Sequence, residues 1–170
     1  EIRPHFPAKL WDEMHPSFFL TFWSLSLNDL EVPKNSYKRE VNRIADMITQ
    51  LQKAEKNEPA NAASKRKKEI ERLTSLKDKL ADEENKQKEH VERVIARLSK
   101  EKDGWFTQRA ACLPKNDTVT AFLQLCLFPR CTFTTLDALY CARFVRMMHQ
   151  LKTPNFSTLI FCDRMFCDIT

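Results

Sequence analysis

Apolar residues recur along the middle of the chain with a helical beat. Tyr37, Val41, Ile44, Ile48 and Leu51 follow one another at steps of four, three, four and three, with Met47 beside them. That is heptad spacing, which lays one apolar stripe along one face of an α-helix. A polar stretch over 54–64, carrying Pro59, interrupts it. A second helical pattern runs from about Lys65 to Asp103 through Ile70, Leu73, Leu76, Leu80, Val91, Val94, Ile95 and Leu98. Its middle, 81–90, is nearly all polar, so the stripe thins there. At about 1.5 Å per residue this second helix is roughly 60 Å long, and the shorter first helix can pair with only part of it. The pattern predicts an antiparallel coiled-coil hairpin with a solvated section.

The flanks read differently. Residues 1–16 carry Pro4, Pro7 and Pro16 without a clear period and are expected to be extended chain lying on the next element. Residues 18–30, FFLTFWSLSLNDL, are too apolar for an exposed segment. A buried helix is expected, capped by Ser17 after Pro16 and bounded by Pro33. Thr21, Phe22 and Trp23 also suit a strand, but no hairpin partner follows. Beyond Gly104, Trp105 and Phe106 return the chain to a second apolar body. Asp117 or Thr118 can cap a helix ending at Pro129, with Val119, Phe122, Leu123, Cys126 and Leu127 inside. Thr134 to Asp137 resembles a capping box. The helix it opens shows Leu136, Leu139, Tyr140, Phe144, Val145, Met148 and Leu151 as apolar positions, and Pro154-Asn155 ends it. Residues 156–166 start another helix. Short amphipathic helices between proline breaks suggest a solenoid-like body, although no clean internal repeat is visible. The fold class is therefore all-α, in three parts: 1–33, an extended segment and buried helix; 34–104, the charged hairpin; 105–170, a helical repeat-like segment.

Composition narrows the chemistry. One glycine in 170 residues, Gly104, excludes dinucleotide loops, phosphate loops and the nucleophile elbow, all of which need several. It also disfavours β-hairpins, whose turns prefer glycine. Gly104 itself is expected near the end of the return helix, as a left-handed stop or a break before a final turn. About half of residues 54–103 are charged, with signs that nearly cancel, as in a solvated helix laced with pairs such as Glu84 with Lys88 and Glu89 with Arg93. The six cysteines form no C-x-x-C pair; reduced core thiols are the favoured reading, with a zinc site as the alternative. No apolar run is long enough to span a membrane. The chain opens on Glu1 rather than methionine and is expected to be part of something longer.

No catalytic constellation emerges: His5, His15, His90 and His149 are scattered, and nothing gathers Ser, His and Asp. No catalytic residue, metal ligand or cofactor is expected. Two basic features remain. Lys65, Arg66, Lys67 and Lys68 form a run that reads as a nuclear import signal or a nucleic-acid patch, or else as a solvated helix start. Because cations oppose the macrodipole at a helix N-terminus, the run is expected in the turn before the helix. Arg143, Arg146, His149 and Lys152 recur every three residues, and with Arg130 nearby they could contact RNA phosphates or an acidic partner. Only Asp137 offsets them on that helix, and a solvated face is the plainer reading.

Several stretches carry a resemblance. They are Phe22-Trp23-Ser24-Leu25-Ser26-Leu27 followed by Val32-Pro33 and Ser36-Tyr37, and Phe122-Leu123-Gln124-Leu125-Cys126 continuing to Phe128-Pro129-Arg130-Cys131. The most specific are Asp137-Ala138-Leu139-Tyr140-Cys141-Ala142-Arg143-Phe144 and Lys152-Thr153-Pro154-Asn155-Phe156-Ser157-Thr158-Leu159. Together with the charged hairpin, they make the chain resemble the family of the large second subunit of the THO complex over nearly its whole length. The resemblance implies a non-catalytic, nuclear, α-helical scaffold in the TREX assembly, which couples transcription to mRNA packaging and export. It implies other THO subunits and the DEAD-box RNA helicase of mRNA export as partners, and mRNA directly or through them. A direct RNA-binding helical module is the alternative. The resemblance transfers no catalytic residue and assigns no partner contact.

Overall fold

The computed structural model describes residues 3–6, 8–53, 60–112, 116–155 and 158–169. Helices α1 (Pro16–Ser24), α2 (Leu27–Leu30), α3 (Lys34–Lys53) and α4 (Ala60–Glu101) are followed by α5 (Gln108–Cys112), α6 (Asn116–Phe122), α7 (Phe128–Cys131), α8 (Thr135–Leu151) and α9 (Thr158–Ile169). No strand occurs among the described residues, only an isolated antiparallel bridge between Met14 and Phe106. The all-α class holds. The chain divides into two compact units, one of Glu1–Glu31 with Glu92–Thr170 and the other Val32–Val91.

The second unit contains the heptad stripe. Ile44 is completely buried, and Tyr37, Val41, Ile48 and Leu51 are half-buried, while most of the remaining α3 surface is exposed. On α4, Leu73 is buried, and Ile70, Leu76, Leu80 and Val91 are half-buried. The helix runs unbroken through 81–90, where Glu84 and Gln87 keep the period as half-buried polar members. Glu84 accepts an ion pair from Lys88 at 2.9 Å, the expected i,i+4 geometry. Glu40–Arg43 and Glu69–Arg72 add i,i+3 pairs at 2.5 and 2.6 Å.

The first unit is built on α1. Phe18 and Phe22 lie one turn apart and are both fully buried. The Phe18 ring meets Trp105, Phe106, Phe122 and Phe144 at centroid distances of 5.6, 4.8, 5.5 and 6.1 Å. Phe22 meets Phe122, Tyr140 and Phe144 at 5.8, 5.5 and 5.0 Å. Each buried phenylalanine is worth about 1.5–3 kcal/mol in removed apolar area, and each tilted or edge-on ring pair adds about 0.5–1.5 kcal/mol. Val94 and Leu98, on the last turns of α4, complete this core. Trp105 and Phe106 return the chain to it as expected. The residue pair around the bridge is held by His15 N–H to Trp105 O at 2.8 Å and Thr107 N–H to Glu13 O at 3.0 Å. Thr118 donates its hydroxyl to the Glu13 carboxylate.

Local structure departs from the sequence reading in several places. The opening residues form 3₁₀ turns, Arg3–His5 and Ala8–Asp12, rather than extended chain. The cap of α1 is His15, whose Nδ1 accepts from Ser17 N–H at 3.2 Å, because Pro16 is itself the first helical residue. The apolar 18–30 segment is two helices, broken at Leu25-Ser26. Asp29 breaks it by taking the Ser26 N–H at 2.7 Å and its hydroxyl at 2.8 Å. The helix expected to end at Pro129 continues to Cys131 through a π turn, Leu123–Leu127. That turn shifts the hydrogen-bond ladder just before the proline, which has no N–H to contribute. On α8, Leu136 and Leu139 face solvent rather than the core. Gly104 closes a 3₁₀ turn, Lys102–Gly104, without a positive φ. It is the break before the core-bound Trp105 and not a left-handed stop. The left-handed residue is Lys152, at φ 51°, ending α8 in a Schellman arrangement with Thr153 N–H on Met148 O at 3.2 Å. Thr134 caps α8, with Oγ1 accepting from Asp137 N–H at 3.1 Å, but the reciprocal bond of a full capping box is replaced by the Thr134 hydroxyl donating to the Asp137 carboxylate at 2.7 Å.

Candidate functional site

The break in α1 leaves two main-chain carbonyls without their usual partners. Phe22 O would bond Ser26 N–H in a continuous helix, but Asp29 holds that N–H. Leu25 O would bond Asp29 N–H, which instead reaches Ser26 O at 3.1 Å. Such buried carbonyls are costly unless satisfied. Arg130 satisfies both: Nη1 donates to Phe22 O at 2.6 Å and Nη2 to Leu25 O at 2.7 Å. Its Nε donates to Asp137 at 3.0 Å. The guanidinium lies 3.8 Å from the Tyr140 ring centroid, and the Tyr140 hydroxyl donates to Phe22 O at 2.8 Å. Burial pushes the Tyr140 hydroxyl pKa up. The Thr134 hydroxyl, and after it Arg130, hold the Asp137 carboxyl below its ordinary value.

Arg130, expected on a basic stripe, is instead turned into the core. It is 8% exposed, and its charge is committed to a buried knot. The rest of the predicted stripe separates. Arg143 is half-buried and makes a bidentate pair with Glu31, Nε to Oε2 at 2.5 Å and Nη2 to Oε1 at 2.8 Å. Arg146 and Lys152 are exposed, and neither makes an ion pair with a described residue. Arg143, Arg146, Glu31 and Gln150 line a cleft of about 270 Å³. Leu30, Ile95, Met147 and Leu151 form its apolar lining. Glu31 was not legible as a partner of Arg143, because the pairing spans 112 positions. Asp137 was visible only as the one carboxylate on α8.

The run Lys65–Lys68 lies inside α4, not in the turn before it. It starts five positions after Ala60, beyond the first turn, where the macrodipole has faded. Lys65, Lys67 and Lys68 are exposed, and Arg66 is half-buried. Cys126, Cys131, Cys141 and Cys162 carry free thiols. Burial pushes the Cys126 and Cys141 thiols up to about 12. Among the described residues no group of His, Cys, Asp or Glu is placed to hold a metal, and no helix is long and apolar enough to cross a membrane.

The first unit is thus a helical body that ties one buried arginine to its own backbone and leaves Phe133, Leu136 and Leu139 exposed. The family model described as "Transcription factor/nuclear export subunit protein 2", Tho2, matches residues 11–170, and the chain belongs to that family. It is 52% identical over 162 residues to proteins called "THO complex subunit 2" from Dasypus novemcinctus and Homo sapiens, covering 95% of this chain and 10% of each relative. It is 42% identical over 166 residues to the protein of the same name from Arabidopsis thaliana, covering 98% of the chain and 9% of the relative. The chain thus spans about a tenth of the length of these relatives. No solved structure matches it.

Proposed function

We propose that this chain is a non-catalytic scaffold segment of a THO complex, working in the nucleus where transcripts are packaged for export. The observation that carries this is apolar exposure on one side of the body. Phe133 and Leu136 are 63% and 65% exposed, and Leu139 lies one turn further along α8. Trp23 continues the surface, with its ring 6.1 Å from that of Phe133. Exposed clusters of this kind mark protein–protein contacts. Other THO subunits and the DEAD-box export helicase are the partners this reading names, with mRNA reached chiefly through them. The unit Val32–Val91 serves as a coiled-coil docking element, and the Lys65–Lys68 run, with its three lysines exposed, as an import signal. Direct RNA binding is the weaker reading, because Arg130 and Arg143 are already neutralised.

The test is co-purification. The double variant Phe133→Ser with Leu136→Ser should melt like the parent, since both side chains already face water. It should recover the other THO subunits several-fold less well. Full recovery of every subunit would contradict the reading.

A further inference from the structure

We infer that the cleft lined by Arg143 and Arg146 receives an acidic amphipathic helix of a partner protein. The inference rests on the scaffold reading and names its surface. The apolar floor comes first. Met147 is 5% exposed, and Leu30, Ile95 and Leu151 pack partly buried against the core beneath it. A flexible thioether among branched side chains suits a surface that must adapt to an inserted apolar residue. Charge comes second. Glu31 occupies the fork of Arg143, which holds that side chain in place and neutralises it. Arg146, one turn on, is exposed, with no ion pair to any described residue. A carboxylate one turn from an apolar anchor would meet Arg146 while the anchor fills the floor.

The occupant is a helix because no strand among the described residues offers an edge for an extended peptide, and a groove between helices takes a helix by its apolar face. RNA fits poorly. A phosphate-tracking surface needs several cations and stacking rings, whereas this lining holds one unneutralised arginine, a repelling carboxylate and no aromatic residue.

Fluorescence polarisation of the purified full chain tests this. The probes are a labelled helical peptide of about 16 residues with leucines at i and i+4 flanked by glutamates, its glutamine twin, and a uridylate RNA of similar length. The glutamate peptide should bind saturably, and the twin about tenfold more weakly, the loss of one charge-assisted pair. Arg146→Glu should cost at least about tenfold, and Arg146→Lys should restore most of it. Circular dichroism should be unchanged in both. No saturable peptide binding, equal binding of the twin, or indifference to Arg146→Glu would overturn the inference. So would RNA binding that Arg146→Glu abolishes while the peptide fails. If the peptide fails but THO subunits still co-purify, the inference falls and the scaffold reading stands; if neither is retained, both fall.

Discussion

Arg130 and the carbonyl of Phe22 meet at 2.6 Å across 108 positions of sequence. The contact explains how an apolar segment can break in the middle of a core. Asp29 removes the donor that would have continued α1, and Arg130 supplies another from α7. Removing the arginine strips the buried Leu25 carbonyl of its donor and takes one donor each from Phe22 O, which keeps Tyr140, and from Asp137, which keeps Thr134. Arg130→Ala should therefore cost about 3–5 kcal/mol, and thermal melting should fall by about 10 °C. Arg130→Lys should recover only part, because an ammonium cannot serve three acceptors in one plane. An unchanged melting temperature for Arg130→Ala would refute the knot.

Tyr140 shares the Phe22 carbonyl, which keeps its arginine partner when the hydroxyl is lost. Tyr140→Phe should cost only about 1 kcal/mol in chemical denaturation, far less than Arg130→Ala.

Acid should loosen the same knot. The folded Asp137 carboxyl titrates below its unfolded value, so its stabilisation is complete above that value, about pH 4. It is lost as the pH falls through the folded pKa. Asp137→Asn should lower stability at neutral pH and flatten the decline below about pH 4, read from melts across that range.

The buried thiols should be inert. With Cys126 and Cys141 pushed up to about 12 by burial, their thiolate fraction at pH 8 is about 10⁻⁴. Iodoacetamide should label exposed Cys167 in the native protein and reach Cys126 and Cys141 only after denaturation. Mass spectrometry of digests distinguishes the sites.

Lys152 holds a conformation that disfavours a side chain. Lys152→Gly should raise stability by about 1 kcal/mol, since glycine adopts the left-handed region without penalty.

What the sequence revealed was periodic or local. The stripe through Tyr37, Val41, Ile44, Ile48 and Leu51, the Thr134 cap of α8, and the return of Trp105 and Phe106 to the core all follow from residues near one another. The break at Ser26 was hidden because the Asp29 cap sits inside an apolar run. Arg130 looked like one cation of a stripe because its carbonyl acceptors lie more than a hundred positions away, as does Glu31 from Arg143. The same distance hid the cleft. Leu30, Ile95 and Met147 come from three segments, and no local pattern brings them together. Leu136 and Leu139 looked like core because exposed leucines and buried ones carry the same helical period.

Whether this body docks partners through α8 is decided most directly by lysine cross-linking mass spectrometry of the assembled THO complex. Lys152 closes α8 one residue beyond the cleft-lining Leu151, is exposed, and makes no ion pair with a described residue. It should form cross-links to another protein subunit. If Lys152 links only within its own chain while the other subunits cross-link elsewhere, α8 is not a docking face and the account is contradicted.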